Sequence, residues 1–156
     1  MNPVMYLISN PRIPMSKGKF GAQCGHATMR ALELSPDNWL KHVWRHAGGH
    51  YAKVVLMADD LMLAKHYIEE RGFACALVLD EGRTEFGDEL TPTFLGVQIV
   101  DKDLLDVKNT FGQFKLYREP ELEDPALVIV KEPVKRTVKD WIKERFNYGN
   151  SPQRDS

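Results

Sequence analysis

Four polar side chains recur along one predicted helix at a spacing that places them on one face. In chain order they are Lys19, Gln23, His26 and Arg30. The steps of four, three and four residues follow the α-helical period. Lys17 and Lys19 lie at the helix start, where unpaired backbone N–H groups already favour anions, so their charges oppose the helix dipole without structural benefit. This pattern is typical of a functional site, and a solvated polar face is the alternative.

A second polar segment directly follows a predicted strand. Its residues are Asp80, Glu81, Gly82, Arg83 and Thr84. Sites in α/β sheets collect beyond the carboxyl ends of strands. The segment offers a carboxylate base, a glycine for close backbone approach, a guanidinium for phosphate and a hydroxyl for hydrogen bonding. A plain polar turn, with Gly82 at positive φ, is the alternative interpretation.

Two further pairs of side chains lack the geometry of a catalytic or metal-binding site. Cys24 and His26 are two positions apart, so on a helix their side chains diverge by about 200° and form no nucleophile–base pair. His42 and His46 have the spacing of zinc-binding helices, but Val43 stands where a metalloprotease has its glutamate. We therefore expect no metal ion and no cofactor.

Strands and helices alternate along the part of the chain that contains these residues. Apolar runs predict four strands, at residues 4–8, 53–57, 75–79 and 93–100. Helical spacing of apolar residues predicts four helices, at residues 20–34, 39–46, 61–68 and 104–111, the third capped by Asp59 or Asp60 and the fourth by Asp101 or Asp103. The alternation predicts an α/β fold: a three-layer α/β/α sandwich with a four-stranded mixed, mostly parallel sheet, plus a C-terminal extension.

Composition excludes several classes of protein. The chain has 156 residues, of which 43% are hydrophobic and 28% charged, which fits one domain with an appendage. No apolar stretch approaches the roughly 20 residues of a membrane span, and the first ten residues do not resemble a signal peptide. Two cysteines are too few for a disulfide scaffold. We therefore expect a cytoplasmic protein with no membrane partner.

Positive charge is concentrated in the first part of the chain. Residues 1–58 contain seven Lys and Arg residues and only two acidic residues, although the net charge of the whole chain is -1. A basic region on a nearly neutral chain indicates a polyanionic ligand. Ordinary solvated surface charge is the simpler alternative.

Four motifs in order resemble those of the archaeal/eukaryotic-type (type II) peptidyl-tRNA hydrolase family. Residues 17–27 resemble its K-G-K-x-x-A-Q-x-x-H-A motif, and residues 80–84 its D-x-G-R-T segment. Residues 93–96 resemble its T-V-L-G strand, and residues 112–117 its G-H-L-K-L-Y segment. The resemblance extends from about residue 4 to residue 117, roughly three-quarters of the chain.

The resemblance implies hydrolysis of the ester that joins a peptide, or an N-blocked amino acid, to the 3′ end of tRNA, with tRNA as the partner. The implied catalytic residues are Lys17, Asp80, Thr84 and Thr93. Asp80 would orient or deprotonate water, and the two threonine hydroxyls would hydrogen-bond the water or the substrate. Lys17 would stabilise the oxyanion that develops on the ester carbonyl, or hold a terminal phosphate.

Other residues are implied to bind the substrate or tRNA. They are Lys19, Gln23, His26, Arg30, Arg83 and Lys115. Lys19 would share the role of Lys17, and Arg83 would pair with Asp80 or a phosphate. The cationic region at residues 1–58 matches the tRNA backbone, which contributes affinity without sequence information.

The domain organisation follows the limits of the resemblance. We predict a peptidyl-tRNA-hydrolase-like α/β domain at residues 1–118, an extension at 119–146 and a disordered tail at 147–156. The extension contains an acidic linker, a candidate edge strand at 126–130 and a basic amphipathic helix at 134–146. Docking on the domain is the simpler role for this helix, and presentation of its basic face to tRNA is the alternative.

A non-catalytic tRNA-binding or adaptor protein on the same fold is the alternative function. The complete set of Lys17, Gln23, Asp80 and Thr84 favours an enzyme, because an adaptor does not need all four. The sequence leaves open the natural substrate and whether the protein is a homodimer.

Overall fold

The computed structural model describes residues 1–82, 85–87 and 89–119. All of them belong to the compact unit Met1–Pro120. The edge strand, amphipathic helix and tail predicted at 126–156 lie outside the described residues, and so do Arg83 and Thr84. Among the described residues, no helix has both the length and the apolar character needed to cross a membrane.

The described chain contains six strands and four helices. The strands are β1 (Pro3–Ser9), β2 (Lys53–Met57), β3 (Cys75–Asp80), β4 (Thr91–Val97), β5 (Val100–Asp101) and β6 (Lys115–Leu116). The helices are α1 (Lys17–Leu34), α2 (Trp39–Arg45), α3 (Leu61–Glu69) and α4 (Leu105–Phe111). These bounds confirm the four predicted helices and the four predicted longer strands.

The order of strands in the sheet is β3-β4-β1-β2-β6, with β5 beside β1. Among the strands of the described residues, only β1 and β2 pair in parallel, and every other pair is antiparallel. The mixed α/β class is confirmed, but the expectation of a four-stranded, mostly parallel sheet is wrong. A parallel return needs a crossover of about a dozen residues or more. Ten residues separate β3 from β4, so the chain turns back and pairs antiparallel.

Helices cover both faces of the sheet. In β1, Met5 and Leu7 pack against α1 and α2, whereas Val4 and Ile8 pack against α3 and α4. The helical partners are Ala27, Ala31 and Trp44 on the first face, and Leu61, Ile68, Val107 and Phe111 on the second. This alternation along one strand is what a sheet buried on both faces requires. The predicted three layers are therefore confirmed.

Helix α1 lies very close to β4 at Gly96. A Cβ atom on this residue would overlap the carbonyl oxygen of Ala27 and crowd the side chain of Ala31. Both alanines are fully buried, so the helix presents its smallest side chains to a strand position that has none. This contact sets the distance between α1 and the sheet.

The β3–β4 ladder contains an irregularity at Thr93. Val78 pairs with Phe94 and Leu79 pairs with Pro92, so Thr93 is the extra residue between them. A bulge of this kind breaks the alternation of side chains between the two faces. It also accommodates Pro92, which has no N–H to donate to a ladder.

The start of α4 differs from the prediction. Asp60 caps α3 by accepting the backbone N–H groups of Met62 and Leu63, as expected. In α4 the N-cap position is Leu104, without a side-chain hydrogen bond, so neither predicted aspartate is its cap. The Asp101 carboxylate instead accepts the backbone N–H groups of Asn2 and Asp103.

Candidate active site

Asp80 lies at the carboxyl end of β3 and collects hydrogen-bond donors from two other segments. Its Oδ2 atom is 2.7 Å from Lys19 Nζ and 2.7 Å from Gln23 Nε2. Its Oδ1 atom accepts the backbone N–H of Gly82 at 2.8 Å. The side chains of Lys19 and Asp80 are each only 11% exposed. The predicted helix face and the predicted loop therefore meet at one carboxylate.

These donors determine the protonation of Asp80. The hydrogen bond from the Lys19 ammonium lowers the pKa of Asp80 below its ordinary value more than any other cause. Burial opposes this change, while the Gly82 N–H and the positive charges of Lys19 and His26 add to it. Asp80 is therefore ionised at neutral pH, and it remains so under moderately acidic conditions.

A buried hydroxyl fixes the orientation of the Gln23 amide. The Thr93 hydroxyl donates to Gln23 Oε1 at 2.8 Å and also lies 3.3 Å from the carbonyl oxygen of Val78. Because Oε1 is held by Thr93, the amide Nε2 points to Asp80. Gln23 is 3% exposed and Thr93 is not exposed at all. In this conformation the Thr93 hydroxyl has no contact with solvent. It positions Asp80 indirectly, through Gln23.

The loop after β3 folds onto the beginning of α1. Ser16 is the N-cap residue, and its hydroxyl oxygen accepts the backbone N–H of Lys19 at 3.2 Å. The Glu85 carboxylate accepts both the backbone N–H and the hydroxyl of Ser16. Lys19 Nζ is 5.3 Å from the centroid of the Phe86 ring, within cation–π range. No local motif connects Ser16, Glu85 and Phe86, so the sequence alone does not identify them.

The structure brings Lys19, rather than Lys17, to Asp80. Lys17 is the first residue of α1, its side chain is 89% exposed, and its ammonium is 3.3 Å from the Glu119 carboxylate. Two positions along a helix turn the side-chain direction by about 200°, so the two lysines face different surroundings. Lys17 is therefore available to a ligand that approaches from solvent.

Two of the predicted binding residues lie farther along the same face of α1. His26 and Arg30 are exposed, and Arg30 is 3.5 Å from Glu33. Lys115 lies in β6, the edge strand opposite β3, which is four strand spacings or about 19 Å away in a sheet of this order. The structure thus places His26 and Arg30 near β3 and Lys115 at the far edge.

Within the described ranges, no group of three or more His, Cys, Asp and Glu side chains is arranged to hold a metal ion. His42 lies on α2 and His46 is the C-cap residue of this helix; their ring centroids are 5.2 Å apart, and Trp39 stacks on His42. Neither free cysteine is an activated nucleophile. Burial raises the pKa of Cys24, and it raises the pKa of Cys75 to about 11.

Comparison with known proteins gives the family. Residues 3–117 match the family model described as peptidyl-tRNA hydrolase PTH2, and the chain belongs to this family. Over 98 residues it is 31% identical to a Schizosaccharomyces pombe protein named probable peptidyl-tRNA hydrolase 2. That match covers 60% of this chain and 46% of the yeast protein, so the chain spans about half the length of this relative. The family resemblance found in the four motifs is confirmed.

Proposed function

We propose that this protein hydrolyses the ester bond of peptidyl-tRNA in the cytoplasm and releases free tRNA and peptide. Membership of the PTH2 family supports the reaction class. The observation that carries the proposal is the shielded cluster of Lys19, Gln23 and Asp80 at the end of β3. A carboxylate can orient the attacking water, and an ammonium group beside it can stabilise the oxyanion that ester hydrolysis produces.

The reaction adds water to the ester carbonyl carbon and breaks the bond to the ribose oxygen, which receives the proton given up by the water and leaves as a hydroxyl. The Asp80 carboxylate accepts a hydrogen bond from the attacking water and orients it. Because its pKa is lowered, Asp80 is a weak base, and orientation contributes more than complete proton removal. The Lys19 ammonium lies beside the carboxylate and stabilises the negative charge that develops on the carbonyl oxygen.

Water is the nucleophile in this proposal. The two cysteines have raised pKa values, so at neutral pH they are thiols rather than thiolates. Gln23 and Thr93 are positioning residues: the hydroxyl holds the amide and the amide holds the carboxylate. The catalytic role of Thr84 and the binding roles of Arg83 and Lys115 stay predictions.

The basic residues near the start of α1 support tRNA as the substrate. Lys17 is exposed, and its ion pair with Glu119 is a surface pair that contributes little free energy. A tRNA phosphate can therefore replace Glu119 at small cost. We expect binding that weakens as salt increases, because each phosphate contact releases counterions from the nucleic acid.

The test is release of tRNA from N-acetyl-aminoacyl-tRNA by the full chain. We expect turnover without added metal, no inhibition by EDTA, and a loss of about 10²-fold in Asp80→Asn. Asp59→Asn is the matched control, because its carboxylate forms an exposed ion pair with Arg12, and it should keep the wild-type rate. Absence of turnover in a folded protein that still binds tRNA would favour the non-catalytic adaptor.

A further inference from the structure

A groove of about 370 Å³ lies between α1 and β3, beside the Asp80 cluster. Its lining residues are His26, Met29, Arg30, Glu33, Leu77, Val78 and Leu79. The α1 side has a charged rim, and the β3 side is entirely aliphatic. Apart from the charge of His26, none of these side chains has a part in the hydrolytic chemistry described above.

The groove is continuous with the candidate active site on both of its walls. On β3, Leu79 directly precedes Asp80. On α1, His26 follows Gln23 by three residues, which is close to one helical turn. A ligand that extends along β3 can therefore place one residue at Asp80 and the adjoining residues in the groove.

The groove also borders a sheet edge that is suited to strand addition. Strand β3 is the last strand in the order of the sheet, and within the described chain no strand pairs with its outer edge. Natural edge strands are usually protected by Lys, Pro or a charged side chain pointing inward. Residues 75–79 of β3, C-A-L-V-L, have none of these, and Leu79 is 47% exposed. Such an edge offers backbone N–H and C=O groups to an extended peptide.

We propose that this groove binds the peptide moiety of peptidyl-tRNA as an extended strand along β3. The inference rests on the proposed function, which puts the ester carbonyl beside Asp80 and Lys19. The residues that precede the ester then extend from Asp80 towards Leu77. Since β3 runs from Cys75 to Asp80, the bound peptide runs in the same direction as the strand.

The chemistry of the groove suits a substrate whose sequence varies. Nascent peptides share only their backbone, and strand addition recognises the backbone through hydrogen bonds. The part of the lining that β3 contributes is apolar, and it gives contact without selecting one residue type. Arg30 and Glu33 face each other across 3.5 Å, so their two charges on the rim offset each other. Three residues of β3 line the groove, which gives room for about three extended residues.

The first experiment measures kcat/KM for a series of substrates with one tRNA and a growing peptide. N-acetyl-aminoacyl-tRNA has one residue, and the di-, tri- and pentapeptidyl-tRNAs extend it. We expect kcat/KM to rise by about tenfold in total up to the third residue and then to remain constant. If kcat/KM is the same for every peptide length, the proposed function stands but the proposed role of the groove is wrong.

A variant that fills the groove tests its location. Met29→Trp places a larger side chain on the α1 wall, and we expect the ratio of tripeptidyl to N-acetyl-aminoacyl kcat/KM to fall towards one. Met62→Trp is the matched control, because Met29 and Met62 are 57% and 58% exposed and lie on helices of opposite layers. An equal change of the ratio in both variants, or in neither, contradicts the proposal.

A binding measurement separates the groove from catalysis. The probe is N-acetyl-trialanine amide, added to the full ¹⁵N-labelled chain, and we expect amide shifts at Leu77 and Leu79 but not in β6. Shifts without hydrolysis of any blocked substrate refute the proposed function and keep a peptide site. Absence of these shifts overturns the proposal. Shifts at β3 that appear when the protein is concentrated without probe also overturn it, because they show that a second copy of the chain binds at this edge.

Discussion

The Glu85 carboxylate accepts hydrogen bonds from both the backbone N–H and the hydroxyl of Ser16, which lies 69 positions earlier. In an ordinary capping box, the acidic residue that receives the N-cap backbone N–H is the third residue of the helix. In α1 that third residue is Lys19. Glu85 supplies the missing carboxylate from the loop after β3, which leaves the third position for a lysine that pairs with Asp80.

Removal of the Glu85 carboxylate tests this arrangement. We expect Glu85→Ala to reduce kcat/KM by about tenfold, because the loop that places Phe86 next to Lys19 loses its attachment to α1. Glu89→Ala, in the same loop, is the control and should have a much smaller effect. Equal rates for the two variants would show that the Ser16–Glu85 contact does not position the site.

The Lys19–Asp80 pair gives a prediction on pH. Lys19→Met raises the pKa of Asp80, because the Lys19 hydrogen bond is the main cause of its depression. In the wild type the pair stabilises the fold above the unfolded carboxyl pKa of about 3.9, and this stabilisation is lost as the pH falls through the lower folded value. We expect Lys19→Met to lower the free energy of unfolding by about 1–3 kcal/mol at pH 7, with the difference shrinking in acid.

Urea unfolding at several pH values measures the effect of Lys19→Met, and NMR titration of the Asp80 carboxyl carbon measures its pKa. Arg12→Met is the control, since Arg12 and Asp59 are also 2.7 Å apart but are 73% and 61% exposed. Its cost should be below about 0.5 kcal/mol. Similar losses of unfolding free energy in both variants would show that burial of the Lys19–Asp80 pair does not strengthen it.

Thr93 is expected to influence the chemistry without touching the substrate. Thr93→Val keeps the shape of the side chain and removes the donor to Gln23, so an amide oxygen is left buried without that partner. We expect a loss of about 1–3 kcal/mol in stability and a lower kcat with little change in KM. Thr93→Ser keeps the hydroxyl and should restore most of kcat. Failure of this rescue would assign the effect to packing.

The cysteines report on the integrity of the core. Cys75 is buried and its pKa is raised to about 11, and alkylating reagents react with thiolates. At neutral pH we expect iodoacetamide to label Cys75 only after unfolding, with mass spectrometry as the readout. Cys24, which is half-buried, should react more slowly than free cysteine. Rapid labelling of native Cys75 would show that β3 opens locally.

Much of the fold could be predicted because it depends on local apolar patterns. The runs that become β1 to β4 and the spacing of Ala27 and Ala31 follow from hydrophobic periodicity alone. The two-residue strands β5 and β6 are too short to give any period. Strand direction was predicted wrongly because an apolar run reads the same for a parallel and an antiparallel partner.

The candidate site was partly predictable for a related reason. Gln23 shares a helix face with Lys19, and Asp80 follows a strand, so their meeting at the sheet edge could be expected. Lys17 and Lys19 could not be told apart, because the choice depends on where the loop after β3 lies. Glu85 depends on a contact between distant segments, and no local pattern encodes it.

The absence of a side chain at Gly96 determines how far α1 lies from Asp80, although Gly96 touches none of the polar groups of the candidate active site. An α-helix moves as a rigid rod, so a methyl group at this position would lift α1 from β4 and carry Gln23 and Lys19 away together. Asp80 would stay with the sheet, and a displacement of about 1 Å is enough to cost about 10²-fold in rate. We therefore expect Gly96→Ala to impair hydrolysis far more than the loss of about 1–3 kcal/mol in stability would suggest. A backbone contact deep in the core therefore sets the positions of the proposed catalytic groups.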